Sequence, residues 1–531
     1  MSYFQIIRLL APEIALTAIL FGLLVWDALV LRRESVEMRH ETLGRALMAG
    51  LLLVLLLYSF QMFDWKNIFV IGHGAFVASR LNTMFKIVVT LLTFVTVVMG
   101  LRTPYSRHVG EYYGLVLFSL LGMVFLISSE DLLMIFVALE LLSISLYALT
   151  AFQKGARRSV EGGLKYFIFG ALSSAFLLFG LSYLFAATGR TGLQEMAEAL
   201  RSQKAAIPIR LLNLGILFTF VGLGFKIAAV PFHLWAPDAY EGAPAPVAAL
   251  IATGSKVASF VALTKLMLSG LVGAAGNALS WPTHWSTGWT APVVAVAVLS
   301  MLLGNVAAIG QRNVKRLMAY SSIAHAGYIL VAMVAVNASG IPASIGVPAI
   351  YFYIIIYALT NVGVFGVINA IASQVGGDDF EHFSGAARRA PFLSLLMLIF
   401  VLSLAGVPPL AGFFGKFYLF AAAIQADPKD LGLLWLVAFA ILMSAVSLYY
   451  YLRLAKQMYV LPSANPNRLP SCAATRLTLG LVCLMVVLLG IFPSQMIDTF
   501  KSFDDKPDPI WTAPAPPSPP AVEKPESANP S

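Results

Sequence analysis

Charge is scarce in this chain of 531 residues: Asp, Glu, Lys and Arg make up 11% of it, against 59% hydrophobic residues. A water-soluble domain carries about 25% charged residues, so the composition excludes that class. Cysteine is scarcer still. The two present, Cys472 and Cys483, fall near or inside the last apolar segment, in no C-x-x-C spacing. Iron–sulfur ligation needs several thiolates, so no cluster held by this chain alone is expected, and no structural disulfide. There is no Walker motif. Gly222-x-Gly224 lacks the third glycine and the strand context of a dinucleotide fold. No His pairs stand at haem-like positions on facing helices. The chain is expected to perform neither redox chemistry nor hydrolysis by itself.

What is abundant is long apolar runs. A run of roughly 18–20 residues spans the hydrocarbon core, and closed β-barrels lack such runs. The expected fold is therefore all-α: a polytopic membrane protein of about fourteen transmembrane helices. They fall near 9–31, 43–63, 76–100, 111–129, 131–151, 163–187, 209–232, 244–270, 289–310, 315–337, 345–373, 392–425, 431–458 and 474–497. The first contains Glu13 and Asp27 and no evident small-residue cleavage site, so it reads as a retained helix and not a signal peptide.

The net charge of +9 is no signal for nucleic acid, because the basic residues lie in short loops. Alternate loops carry Arg32, Arg33, Arg39 and Arg45; Arg102 and Arg107; Lys154, Arg157 and Arg158; Arg312, Lys315 and Arg316; and Arg388 and Arg389. By the positive-inside rule these loops are cytoplasmic and both termini lie on the other, periplasmic side. One outer loop, with Arg190, Arg201, Lys204 and Arg210, opposes this; its stretch Leu193–Ala206 is amphipathic and is expected to lie along the membrane interface.

Helix breakers accompany three segments: Pro231 in the seventh, Pro244 and Pro246 opening the eighth, and Pro408 and Pro409 in the twelfth. Broken membrane helices expose backbone groups tolerable only against protein or water, and breaks beside buried charges point to binding or conduction sites. The seventh and twelfth segments share a pattern of apolar run, Pro and Gly, and one Lys, five segments apart. This predicts two inverted five-helix repeats, 111–270 and 289–458, after three N-terminal helices in 1–110 and before a last helix at 474–497. The Pro-rich tail, 502–531, is expected to be disordered.

Four lone charges lie inside these runs: Glu140, Lys226, Lys256 and Lys416. Each opposes insertion by roughly 2.5–3.5 kcal/mol, and such residues usually face a bundle interior, a partner charge or water. A spaced set of them suits a path for protons or ions. No basic residue shares the helix of Glu140, so its partner comes from elsewhere; Lys226, facing it, would gain or lose its proton as that charge changes. The blander readings are a protonated structural Glu140 and a snorkelling Lys226. Thr253, Gly254, Ser255 and Ser259 around Lys256 suit close packing and water. His233, between Lys226 and Lys256 in sequence, would bridge them through water or be structural. His325, flanked by Ser321 and Ser322, is another relay candidate. Glu161 and Lys165, spaced i, i+4, form a helix salt bridge or a charged set feeding Glu140. Arg80, Lys86 and Lys265 are expected to snorkel.

The stretches LLMIFVALELLSISLYAL, EGGLKYFIFGALSSAFLLFG, GFKIAAVPFHLWAPDAYEGAPAPVAALIATGSKVASF, NVKRLMAYSSIAHAGYIL and GVPPLAGFFGKFYLF resemble the antiporter-like subunits of respiratory complex I, the NADH–quinone oxidoreductase. The resemblance covers about segments four to thirteen. Of three paralogous types the chain is most similar to the N-type: Lys416 stands in GFFGKFY, where the M-type typically has Glu, and too little follows the last repeat for the long lateral helix of the L-type. The resemblance implies that Glu140, Lys226, Lys256 and Lys416 carry proton translocation, with Lys165, His233 and His325 as supporting relay members. It implies that FMN, iron–sulfur clusters, NADH and quinone are bound by other subunits. The implied partners are the M-type and small K/J/A-type subunits and the lateral helix of the L-type, in a bacterial inner membrane. Two alternatives stand: a subunit of a multisubunit Na⁺/H⁺ antiporter, and a passive scaffold whose charges are structural pairs.

Overall fold

A computed structural model describes residues 3–64, 68–72, 74–101, 107–202, 207–276, 288–336, 343–426, 432–463 and 467–504. The chain opens with α1 (Tyr3–Leu9), α2 (Ala11–Leu29) and α3 (Val36–Asp64). A short antiparallel hairpin follows, β1 (Phe69–Ile71) paired with β2 (Phe76–Ala78). Then come α4 (Arg80–Gly100), α5 (Val109–Ser128), α6 (Leu132–Thr150), α7 (Arg157–Thr188) and the short α8 (Leu193–Ser202). The middle holds α9 (Ile209–Lys226), α10 (Trp235–Gly242), α11 (Ala245–Ala252), α12 (Gly254–Lys265), α13 (Thr290–Ile309), α14 (Val314–Val336) and α15 (Ala343–Val375). The last part is α16 (Ala386–Arg389), α17 (Pro391–Ala405), α18 (Ala411–Gln425), α19 (Leu434–Tyr459), α20 (Ala473–Ile491) and α21 (Pro493–Asp504).

Among the described residues thirteen spans are long and apolar enough to cross a membrane. The remaining expected segment, 392–425, is two shorter helices, α17 and α18, on either side of a break. Local chemistry sets the ends. Ser79 caps α4 by accepting from the Asn82 N–H at 3.1 Å, and Asp131 caps α6 by accepting from Leu133 and Met134 at 2.9 and 3.1 Å. The core lies in two spans whose apolar windows are wholly buried, Ala245–Gly270 and the stretch Gly346–Val375 of α15. The window of α3 is only 22% buried and that of α20 28%, so their apolar outer faces turn to lipid or to another chain.

The structure amends several expectations. Residues 76–78 pair in the hairpin instead of opening the third helix, and the second helix starts at Val36. The amphipathic α8 buries its apolar side on protein: Met196 and Leu193 pack on Gly270, and Leu200 on Gly273. The last helix stops at Ile491, where Pro493 opens α21, so Ser502 to Asp504 are helical; the Pro-rich stretch beyond lies outside the described residues. Lys86 and Lys265 do not snorkel. Both are buried, and each meets a carboxylate: Lys86 Nζ lies 2.9 Å from Glu13 Oε1, and Lys265 Nζ 3.3 Å from Glu130 Oε1. Neither aliphatic stem reaches an aqueous surface, so the charges are paired in place.

Candidate functional site

The seventh segment breaks just after its lysine. α9 ends at Lys226, and Ala228 takes φ +58°, the left-handed region that L residues occupy only when their surroundings force it. The freed backbone is satisfied by protein. The Val230 N–H donates to Ser300 Oγ at 2.9 Å, and the Trp235 indole N–H donates to the Phe225 carbonyl at 2.9 Å. Lys226 Nζ donates to Ser143 Oγ at 2.9 Å and Tyr166 Oη at 3.3 Å. Ser143 is one turn from Glu140 on α6, and Glu140 Oε1 accepts from the Ser174 hydroxyl of α7. Glu140 and Lys226 thus share one face of the bundle with hydroxyls between them, and they form no direct ion pair among the described residues.

The second group centres on α14, a helix buried along 89% of its apolar window. α12 starts after an irregular Thr253 (φ −119°, ψ −83°), which places Lys256 against Ser322 of α14. Lys256 Nζ donates to the Ser322 carbonyl at 3.1 Å and to the Ser322 hydroxyl. The same hydroxyl accepts from Tyr357 Oη at 2.6 Å and lies 3.3 Å from Tyr240 Oη.

One turn further along α14, His325 Nδ1 lies 2.6 Å from Tyr353 Oη and Nε2 lies 3.2 Å from Tyr451 Oη. Tyr451 also bonds Ser321. Beside it Tyr450 Oη donates to Asn305 Oδ1 at 3.0 Å, and Asn305 Nδ2 donates to Tyr328 Oη at 3.1 Å. The ammonium of Lys416 lies 5.1 Å from the centre of the Tyr328 ring.

Lys416 belongs to the second broken segment. α17 ends at Ala405 and is capped by Gly406, φ +89°, where a Cβ would stand 3.2 Å from Lys416 Cδ. Lys416 Nζ donates to the carbonyl of Ala405, the last residue of α17, at 3.0 Å, and to Ser444 Oγ at 2.8 Å. A cation at a helix C-terminus meets both an orphan carbonyl and the negative end of the helix dipole. The same ammonium lines a 540 Å³ cavity whose other walls include Phe413, Phe417, Ile424 and Ile441.

The three lysines and His325 are buried, Glu140 is half-buried, and together they fall into two polar groups that follow one another in a row through the bundle, one around Lys226 and one around α14. Between Lys226 and Lys256 stand rings: Tyr166 stacks on Trp235 at 4.1 Å, and Trp235 lies 6.4 Å from Tyr240. His233 is buried in the turn between α9 and α10, its Nδ1 without a protein partner, and no hydrogen bond joins it to Lys226 or Lys256 among the described residues. Glu161 and Lys165 sit at one end of the bundle in an exposed network. Lys165 bridges Glu161 and Asp238, both at 2.8 Å; Asp238 pairs with Arg316, and Arg316 meets Glu241 at 3.1 Å. Thirteen residues of α7 separate Glu161 from Ser174, about 20 Å along the helix, so this set does not touch Glu140.

The arrangement holds amines, a carboxylate, an imidazole and hydroxyls in two hydrogen-bonded groups inside the bundle, and each of these side chains is of a kind that gives or takes a proton. Among the described residues no group of three or more His, Cys, Asp or Glu side chains is placed to hold a metal.

The sequence profile of the NADH:quinone oxidoreductase/Mrp antiporter transmembrane family matches residues 129–444, which hold all four charges. The chain belongs to this family. A relative from Acidobacterium capsulatum, NADH-quinone oxidoreductase subunit N 2, is 44% identical over 93% of this chain and 98% of its own length. Subunit N of Desulforamulus reducens is 39% identical over 86% and 90%. Among solved structures, a chain of Thermus thermophilus respiratory complex I with bound aureothin superposes with TM-score 0.72 at 32% identity, covering 92% of this chain and 98% of that one. A chain of an archaeal membrane-bound sulfane sulfur reductase gives 0.79 at 25% identity, covering 95% and 98%. An Mrp complex chain from Dietzia, at 18% identity and TM-score 0.76, shares the fold.

Of the hydroxyl groups that join these residues, Ser321 and Ser322 stand out in the sequence beside His325, and the tyrosines do not. Tyr353 and Tyr357 are spaced i, i+4 in a run with no charge, and Tyr450 and Tyr451 follow one another in α19. A tyrosine buried in an apolar helix needs a partner for its hydroxyl, and that was the available signal.

Proposed function

We propose that this chain is an antiporter-like, proton-translocating membrane subunit of a complex I-type NADH–quinone oxidoreductase. Electron transfer from NADH to quinone occurs in other subunits, which would hold FMN, the iron–sulfur clusters and the quinone. The observation that carries this reading is the row of polar groups from Glu140 to Lys416, each charge held by hydroxyls or a helix end and not by a fixed counter-ion.

Glu140 is the carboxylate whose charge biases Lys226; Lys256 and His325 pass the proton through Ser322 and the tyrosines; Lys416 ends the row. Lys165 and Glu161 would gather charge at the basic-loop face, and His233 would assist at the break. The row opens at both edges of the bundle. Glu140 is half-buried on a helix face shared with the exposed Val137 and Ile144, and the Lys416 cavity opens beside the exposed Phe417. Apolar edges carrying an ionisable group suit contact with sister subunits, the M-type and the small K/J/A-type, with the L-type lateral helix alongside. The chain is a membrane-spanning part of a multisubunit complex. The basic loops argue for a bacterial inner membrane with both termini periplasmic.

The test is Lys226→Ala in the intact complex in sealed vesicles. Pumping or coupled NADH turnover should fall while the complex still assembles, and it should proceed without Na⁺. Unchanged pumping would reduce the row to a scaffold, and a strict Na⁺ requirement would favour a Na⁺-linked antiporter.

A further inference from the structure

α12 carries a second lysine, and the row does not use it. Lys265 is its last residue, nine positions after Lys256. Nine residues are two and a half turns, so the two ammonium groups leave α12 on opposite sides, about 13 Å apart along its axis. Lys265 is fully buried, with side-chain exposure of 0%, and its partner Glu130 is 5% exposed. Both ends of α12 are irregular. The Thr253 joint precedes Lys256, and a π turn, Leu266–Gly270, follows Lys265. Such turns cluster at functional positions.

The ion pair has an unusual geometry for a clasp. Lys265 Nζ donates to the Ile127 carbonyl at 2.8 Å, while the Glu130 carboxylate is 3.3 Å away. Glu130 Oε1 is buried and accepts no hydrogen bond, and the neighbouring Thr264 hydroxyl is also buried without a partner. The backbone of Glu130 is fixed independently: its N–H donates to the Gly74 carbonyl of the hairpin at 2.8 Å, and its carbonyl accepts from Leu193 at 2.9 Å. The side chain is thus not needed to hold its own segment. When the carboxylate is neutralised the ammonium keeps its bond to the Ile127 carbonyl, and the loss of its counter-charge makes the opened pair the higher-energy state, which favours return to the carboxylate. The pair lies at the end of the bundle opposite the Lys165–Asp238–Arg316 network, beyond the N-terminus of α6.

We propose that Glu130 and Lys265 form a further proton-exchanging pair of this subunit, at the face opposite the basic loops. Water delivers the proton: an O–H bond of hydronium breaks and one forms at Glu130 Oε1, which converts the carboxylate to the acid and opens the ion pair, while Lys265 stays an ammonium on the Ile127 carbonyl. Loss of that proton to the outer face restores the carboxylate and closes the pair. No other bond changes. Other ionisable pairs at this end are separate: Lys86 donates to Glu13 Oε1 at 2.9 Å, and Tyr58 donates to the same oxygen at 3.1 Å, while Arg190–Glu195 at 3.9 Å and Lys501–Asp498 at 3.5 Å are surface pairs.

The inference rests on the proton-transfer reading above, and its test separates the two. Lys265→Arg and the double variant Glu130→Gln/Lys265→Met are made in the full complex, alongside Lys226→Met. Arginine keeps the cation and carbonyl contact, and the double variant replaces a buried pair by neutral groups of similar size, a change a structural pair often tolerates. The expected result is assembled complex in which the double variant loses protons moved per NADH oxidised, while Lys265→Arg retains them because Glu130 is the exchanging group. Wild-type pumping in the double variant with pumping lost in Lys226→Met would overturn this pair and leave the row standing. Wild-type pumping in both would overturn the row as well. Failure of both outer variants to assemble would mark the pair as structural and also overturn the proposal.

Discussion

At the scale of single residues, the site depends on amines held by groups that do not cancel their charge. Lys226 is bonded to two hydroxyls and Lys416 to a carbonyl and a hydroxyl. Neither amine is locked to a carboxylate among the described residues, and an amine can part with a proton where a guanidinium cannot. Lys226→Arg is therefore expected to keep the positive charge but abolish proton transfer through this position, which vesicle acidification assays on the assembled complex would register. Tyr353→Phe removes the 2.6 Å partner of His325 Nδ1. It should cost about 1–3 kcal/mol if the imidazole nitrogen is left unpaired, read as a lower melting temperature of the purified complex and slower pumping. The charged residues of the row were legible because charge is conspicuous in an apolar run. Ser143, Ser174, Tyr240 and Tyr451 were not, because serine and tyrosine are common in membrane helices and their partners come from other segments. Lys86 and Lys265 misled for the same reason: a lysine near a helix end snorkels by default, and nothing local in sequence reveals Glu13 or Glu130 packed against it.

At the scale of elements, the two broken spans decide where the charges sit. Proline forecast both breaks, at Pro231 and at Pro408 and Pro409, but not their geometry. The left-handed Ala228 carries no sequence signal at all, whereas Gly406 does, since φ +89° favours glycine. Gly406→Ala adds a methyl 3.2 Å from Lys416 Cδ in a backbone region alanine avoids. We expect a loss of about 1–3 kcal/mol and displacement of Lys416 from the Ala405 carbonyl. Reduced complex yield together with reduced pumping would confirm it; wild-type pumping would deny that the helix end positions the ammonium. The hairpin Phe69–Ala78 escaped notice because three-residue strands beside a long apolar run carry too little alternation to be seen.

At the scale of the whole molecule, α2, α3 and α4 are held to one another by charge as well as by apolar packing. Glu13, Lys86 and Tyr58 come one from each and are fully buried. Removing one partner of such a pair typically costs about 3–5 kcal/mol, whereas removing both costs far less. Lys86→Met is thus expected to lower the amount of assembled complex, and Glu13→Gln/Lys86→Met to restore much of it, as followed on native gels. Equal loss in both would mean that the pair contributes beyond neutralising itself.

The stack of Tyr166 on Trp235 has a further consequence. It lies between the Lys226 group and the Lys256 group, and among the described residues no hydrogen bond joins the two across it. On the proposed function, a proton crossing from one group to the other therefore needs a carrier beside the indole, since a ring face offers no donor or acceptor of its own.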